Sequence, residues 1–263
     1  MKKIYLKSLI LAAIMGLFLP SCQSMDSARL MSALQKSTEA MSLTNAEVAQ
    51  YVAQSVQQMD AQNTVAPANS AYTQRLARLT QGINSVNGMP LNFKVYMTNQ
   101  VNAFACADGS VRVYSGIMDI MDDDELIGII GHEIGHVAKE HSKEAFKQAL
   151  LNSALFDAVG STSATAAALT QSQLSQLAQS LMSAKYSRKQ ETEADNYGYD
   201  FLKQHGRNPY SMVKAFQKME QLEQQGGGAS QGSALANMFS DHPETAERIK
   251  NMTERCIKDG YIK

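Results

Sequence analysis

The segment His132-Glu133-Ile134-Gly135-His136, set inside the apolar run from Leu126 to Val137, constrains this chain more than any other stretch. On a helix, histidines four residues apart lie about 40° apart in azimuth, so both imidazoles can reach one metal ion. Glu133 lies one residue round and can reach a water on that ion, the pattern of a zinc site with a built-in general base. Two helical histidines leave the coordination sphere open, so a third protein ligand is required. Glu140 sits on the same ridge but stands about 12 Å from His132 along the axis, and three ligands on one straight helix cannot surround an ion. His141 lies about 180° round from His132 and reads as a surface histidine.

The third ligand therefore comes from elsewhere. In Ser187-Arg188-Lys189-Gln190-Glu191-Thr192-Glu193-Ala194-Asp195, Glu191 and Asp195 share a helix face at i and i+4. One of them can ligate while the other accepts a hydrogen bond from the outer N–H of a ligand histidine. Taken alone, such an acidic run reads as a solvated face. A metzincin is excluded, because its extended motif needs Gly and His where this chain has Lys139 and Ser142. A further motif, Asp241-His242-Pro243, has the proline of a first helical turn beside a capping residue, and so also reads as a plain helix start.

The N-terminus reads as an address. Lys2, Lys3 and Lys7 precede an apolar run from Leu9 to Leu19, which as a helix spans about 17 Å against the roughly 30 Å of a bilayer core. That is a signal peptide over residues 1–21, and Leu19-Pro20-Ser21-Cys22 resembles the lipobox of bacterial lipoproteins, with Cys22 lipidated. Gln23, rather than Asp, after the cysteine points to the outer membrane by the sorting rule for such proteins. Residues 22–43 are a polar tether, and residues 44–263 form the catalytic domain. Losing the three leader lysines takes Lys+Arg from 24 to 21 against 25 Asp+Glu, so neither anionic lipid nor nucleic acid is an electrostatic partner.

The remaining pattern predicts an α+β fold, mostly helical, with a small sheet beside the histidine helix. Thr44-Asn45-Ala46-Glu47 is a capping box ahead of Val48, Tyr51, Val52 and Val56. Tyr72, Leu76, Leu79 and Ile83 suggest a second helix ending before Asn87-Gly88, and alternation at Phe93, Val95 and Met97, then Val101 to Cys106, then Val111 and Val113, predicts two or three strands. Asp122-Asp123-Asp124-Glu125 opens the motif helix. Leu169, Leu174, Leu177 and Leu181 predict another helix, and Gln224 to Ser233 a glycine-rich loop. Cys106 and Cys256 remain after lipidation; an oxidising periplasm would permit a bridge between them, and sequence alone does not say whether their Cα atoms come within the roughly 6 Å it needs.

Together, His-Glu-x-x-His, Ser-Arg-x-x-Glu-x-x-Ala-Asp and Asp241-His242-Pro243-x-x-x-x-Arg248-Ile249 resemble the gluzincin zinc peptidases of the CAAX prenyl protease, HtpX and Oma type, from about residue 44 to 258. The leader, with Asn102-Ala103-Phe104-Ala105 and Arg112-Val113-Tyr114-Ser115-Gly116, is most similar to the outer-membrane lipoprotein members. The resemblance implies one Zn2+ per chain, held by His132, His136 and Glu191, with Glu133 as general base and Asp195 behind a ligand. It implies that His242 faces the zinc, as an oxyanion donor or in the open coordination position, and that Arg248 steadies the site. An extended substrate would pair with an edge strand at Asn102, Ala103, Phe104 and Ala105, unless that strand is internal. The expected function is a zinc endopeptidase on the periplasmic face of the outer membrane, acting on unfolded or misfolded envelope proteins, with an envelope chaperone or assembly machine as a possible partner. The rival is a non-catalytic, chaperone-like lipoprotein gripping unfolded segments along the same edge, a role that has no need of a base beside a metal.

Overall fold

The computed structural model describes residues 42–152, 170–225, 242 and 245–263. The leader, Cys22, most of the tether, the glycines at 226–228, Asp241 and Pro243 lie outside them. All described elements belong to the unit from Ala40 to Lys263. They run α1 (Asn45–Gln62), α2 (Ala71–Leu79), β1 (Ser85–Val86), β2 (Met89–Pro90), β3 (Asn92–Tyr96), β4 (Ala103–Ala105) and β5 (Ser110–Tyr114). Then come α3 (Ser115–Ile120), α4 (Asp123–Ala138), α5 (His141–Asn152), α6 (Gln171–Met182), α7 (Arg188–Gln204), α8 (Tyr210–Gln225) and α9 (Thr245–Lys258). The chain is thus α+β and mostly helical, and α8 carries helix as far as Gln225, into the segment expected to be loop.

Local chemistry sets the helix starts. Thr44 with Glu47, Asp122 with Glu125, Thr170 with Gln173 and Ser187 with Gln190 all form reciprocal capping boxes. Each satisfies two of the backbone N–H groups that a helix start leaves without partners. The Asn87-Gly88 turn, with φ of 49° and 79°, joins β1 to β2 as a short antiparallel hairpin that the periodicity did not reveal.

The main sheet has the order β3-β5-β4, with β3 parallel and β4 antiparallel to β5. Successive residues of a strand face opposite sides, and here both sides are buried. Val95, Val111 and Val113 pack with Ile127, Ile130 and other residues of α4, α7 and α8, whereas Tyr96, Phe104 and Tyr114 pack with α1, α5 and α6. Burying one such Ile or Val contributes roughly 1.5–3 kcal/mol relative to exposure. The outer edge of β3 is bridged by the Thr64–Ala66 segment, which leaves β4 as the edge strand whose outer side has no strand partner among the described residues.

A charged pin ties α1 to the sheet. Asp60 accepts from Arg112 Nε and Nη2 at 2.8 and 3.1 Å, from Lys94 at 2.7 Å and from Tyr96 at 2.7 Å, and Arg112 is only 1% exposed. Burial pushes the Asp60 carboxyl up, but the bonds from Arg112, Lys94 and Tyr96 outweigh it and hold the carboxyl below its usual range. The stabilisation is thus present above about pH 4 and lost as pH falls through the depressed folded value. Asp60→Ala leaves a buried guanidinium without its partner and is expected to cost about 3 kcal/mol in urea unfolding. A second change, Arg112→Met, should recover much of that loss; a single variant as stable as wild type would show the pin to be dispensable.

Candidate active site

The two helices that carry the expected ligands lie unusually close. A Cβ on Gly135 would stand 3.0 Å from the Ala194 carbonyl oxygen, and one on Gly198 would stand 3.0 Å from the His132 backbone nitrogen. Glycine at these positions lets α4 and α7 approach until their side chains meet. His132 and His136 project from α4, Glu191 and Asp195 from the first turns of α7, and Arg248 from α9.

Four ligand atoms, one each from buried His132, His136, Glu191 and His242, lie within 4.8 Å of one another. His132 Nε2 is 3.1 Å from His136 Nε2 and 3.5 Å from Glu191 Oε2, and His136 Nε2 is 3.6 Å from Glu191 Oε1. His242 Nδ1 is 2.9 Å from Glu191 Oε1 and 3.4 Å from His132 Nε2. Donors about 2.0–2.1 Å from a tetrahedral zinc stand about 3.3 Å apart, so the spacing suits that ion. The polar accounting agrees. Glu133 Oε1 is buried with no hydrogen bond, its nearest basic neighbour being His242 Nε2 at 3.7 Å. Glu191 Oε2 also lacks a hydrogen bond, its charged neighbours being Arg248 Nη1 at 2.9 Å and His132 Nε2 at 3.5 Å. Buried carboxylate oxygens in that condition are costly unless a cation completes them.

The surrounding charges are arranged to match. His132 Nδ1 lies 2.9 Å from Asp195 Oδ1, so it carries the proton and leaves a lone pair on Nε2. Asp195 is held well below the usual carboxylate range despite burial, because Arg248 grips it through Nε and Nη2 at 2.9 and 2.7 Å. The Arg248 guanidinium also lies 4.5 Å over the Phe216 ring. Burial, then the neighbouring His132 and His242, pushes His136 well below its ordinary value and keeps it neutral. Burial raises the Glu133 carboxyl against the pull of His242 and His132, and Glu191 is lowered because the His242 hydrogen bond and nearby cations outweigh its burial.

Of the edge-strand residues, Asn102, Ala103, Phe104 and Ala105 are all buried, and β4 packs against α4. Asn102 Oδ1 accepts from the Ala103 N–H, and Ser142 Oγ donates to the Ala105 carbonyl at 3.0 Å. Cys106 and Cys256 are buried free thiols and form no bridge.

The expectation for His141 fails. It is 3% exposed and sits against His136, Nδ1 to Nδ1, at 3.1 Å. The azimuth argument assumed a continuous helix, whereas α4 ends at Ala138 and Glu140 takes a left-handed φ of 60°. That turn brings the first residue of α5 back toward His136. Tyr186, one residue before the α7 cap, stacks on the His136 ring at 3.8 Å and 24° and was also unforeseen. Neither had a sequence signal, since both depend on where one helix stops and the next begins.

Residues 68–256 match the sequence profile of Peptidase family M48. Metalloprotease LoiP of Escherichia coli is 41% identical over 256 residues, covering 97% of this chain and 98% of that protein. Metalloprotease YcaL of the same species is 38% identical over 253 residues, covering 95% and 96%. The beta-barrel assembly-enhancing protease of Yersinia pestis is 31% identical over 150 residues, or 54% of this chain and 30% of that protein. With donors spaced for zinc beside an unsatisfied glutamate, and with this match in sequence, the chain is a zinc metalloprotease and belongs to peptidase family M48.

Proposed function

We propose that this metalloprotease is a lipid-anchored endopeptidase of the bacterial outer membrane, facing the periplasm and cleaving unfolded or misassembled envelope proteins. The observation that carries the catalytic part is the convergence of four donor atoms beside the unsatisfied Glu133 oxygen. His132, His136 and Glu191 would hold the zinc, which when bound supplies Lewis acidity to a water and to the scissile carbonyl. Glu133 removes the water's proton and passes it to the departing amine. Asp195 and Arg248 hold His132 in the tautomer that ligates. His242 fills the fourth corner of the donor set, so substrate has to displace it; swung aside, its imidazole can donate to the developing oxyanion. An extended substrate adds to β4 at Asn102–Ala105, exchanging the Ser142 bond at the Ala105 carbonyl for its own backbone N–H.

Metal analysis alongside casein digestion tests the catalytic part. We expect one zinc per chain and digestion that stops with a chelator and returns with zinc. Metal-bound protein that never cuts casein or a denatured envelope protein would instead favour the non-catalytic binder.

The anchor rests on the sequence alone: residues 1–21 as leader, Cys22 as lipid carrier, 22–43 as tether and 44–263 as peptidase domain. Among the described residues no helix is long and apolar enough to cross a membrane. Cys22→Ser should move the protein from the membrane to the soluble fraction, since a lipid tail is then its only tie. Continued tight association would refute the lipobox. A relative whose name concerns β-barrel assembly makes assembly intermediates reasonable substrates and an assembly machine a reasonable partner.

A further inference from the structure

The two α4 histidines are held from behind in different ways. His132 meets a carboxylate directly through Nδ1. His136 Nδ1 meets a second imidazole, His141, at 3.1 Å, and His141 Nε2 lies 3.0 Å from Glu193 Oε2. We propose that His141 and Glu193 are positioning residues for the zinc, fixing the tautomer and orientation of His136 through a two-step hydrogen-bond relay.

The proton count dictates the direction. An ionised carboxylate can only accept, so His141 Nε2 carries the hydrogen that bonds Glu193. In the neutral ring the lone pair is then on Nδ1, and two nitrogens 3.1 Å apart share one proton, so His136 Nδ1 is the donor. His136 is left with its lone pair on Nε2, the nitrogen that faces His132 and Glu191. Reversing either bond would place a hydrogen where the metal must sit. Two further contacts fix the geometry. Tyr186 stacks on the His136 ring and limits its rotation. Ser142 Oγ, next to His141, bonds the Ala105 carbonyl and so ties the start of α5 to the edge strand. The left-handed Glu140 turn makes the relay possible by aiming His141, the first residue of α5, back at His136 on α4.

The inference rests on His136 being a zinc ligand, and the test separates the two ideas. Metal-free protein is titrated with zinc against a chromophoric chelator, and the His136 ring nitrogens are followed by 15N NMR without metal. His141→Leu should bind zinc roughly 10–100-fold more weakly, the usual effect of losing such an outer partner, and should show both His136 tautomers where wild type shows only the Nδ1–H form. His141→Gln, whose amide oxygen can accept from His136, should recover to within a few-fold, and Glu193→Ala should fall between. If His141→Leu fails to fold, Glu193→Ala and His141→Gln decide the matter by the same two readouts. Zinc affinity within twofold of wild type, with a single His136 tautomer, overturns the relay. If His136→Ala also keeps its zinc, the ligand assignment itself falls; if His136→Ala loses zinc while His141→Leu does not, only the relay does.

Discussion

Glu133→Gln is expected to keep zinc and fold while lowering casein cleavage by about 10²–10⁴-fold, the range for removing one general base. The isosteric amide fits the same buried position on α4 but cannot accept the water's proton. Its placement makes the experiment clean. Glu133 Oε1 makes no hydrogen bond, so the substitution breaks none at that oxygen. Glu133 is also absent from the four-residue donor set. Stoichiometric zinc with less than a hundredth of wild-type turnover is the expected result. A variant keeping a tenth or more of the activity would assign the proton transfer elsewhere, with His242, 3.7 Å from Glu133 Oε1, the first group to examine.

Glu191→Gln is expected to lose zinc outright on dialysis, a larger effect than the roughly 10–100-fold typical of an outer partner. A neutral amide oxygen is a much poorer zinc ligand than a carboxylate. The same oxygens also face Arg248 and accept from His242, so the variant leaves more positive charge uncompensated in a buried site, and thermal unfolding should fall as well. Glu193→Gln is the comparison: its side chain reaches His141 and Lys189 rather than the donor cluster, so it should keep zinc on dialysis, with at most the weaker binding expected of an outer partner. Full zinc occupancy in Glu191→Gln with loss in Glu193→Gln would exchange the two assignments.

The elements with the strongest local chemistry were legible in advance. Thr44 was readable as a helix start because a capping box is satisfied by residues three apart, independently of tertiary structure, and Asp122 because acidic residues suit a first turn; the box at Ser187 went unread although it has the same local form. Asn87-Gly88 was readable as a turn but not as a hairpin, since the paired segments, Ser85–Val86 and Met89–Pro90, are too short to show alternation. Ala103–Ala105 was readable as a strand; that β5 is its one strand neighbour among the described residues was not, because an edge is a property of the sheet rather than of the segment.

By itself the sequence determined the chemistry: the fixed pitch of a helix puts His132 and His136 on one face with Glu133 beside them, and the i, i+4 spacing puts Glu191 and Asp195 on another. Only the tertiary structure decided how these faces meet. The approach of α4 and α7 depends on what Gly135 and Gly198 pack against, and the delivery of His242 and Arg248 depends on chain more than a hundred residues from His132. His141 marks the boundary most sharply. A helical wheel places it on the far side, and a single left-handed residue at Glu140 places it against His136, because one backbone rotation redirects every residue after it while the side-chain pattern that sequence displays stays the same.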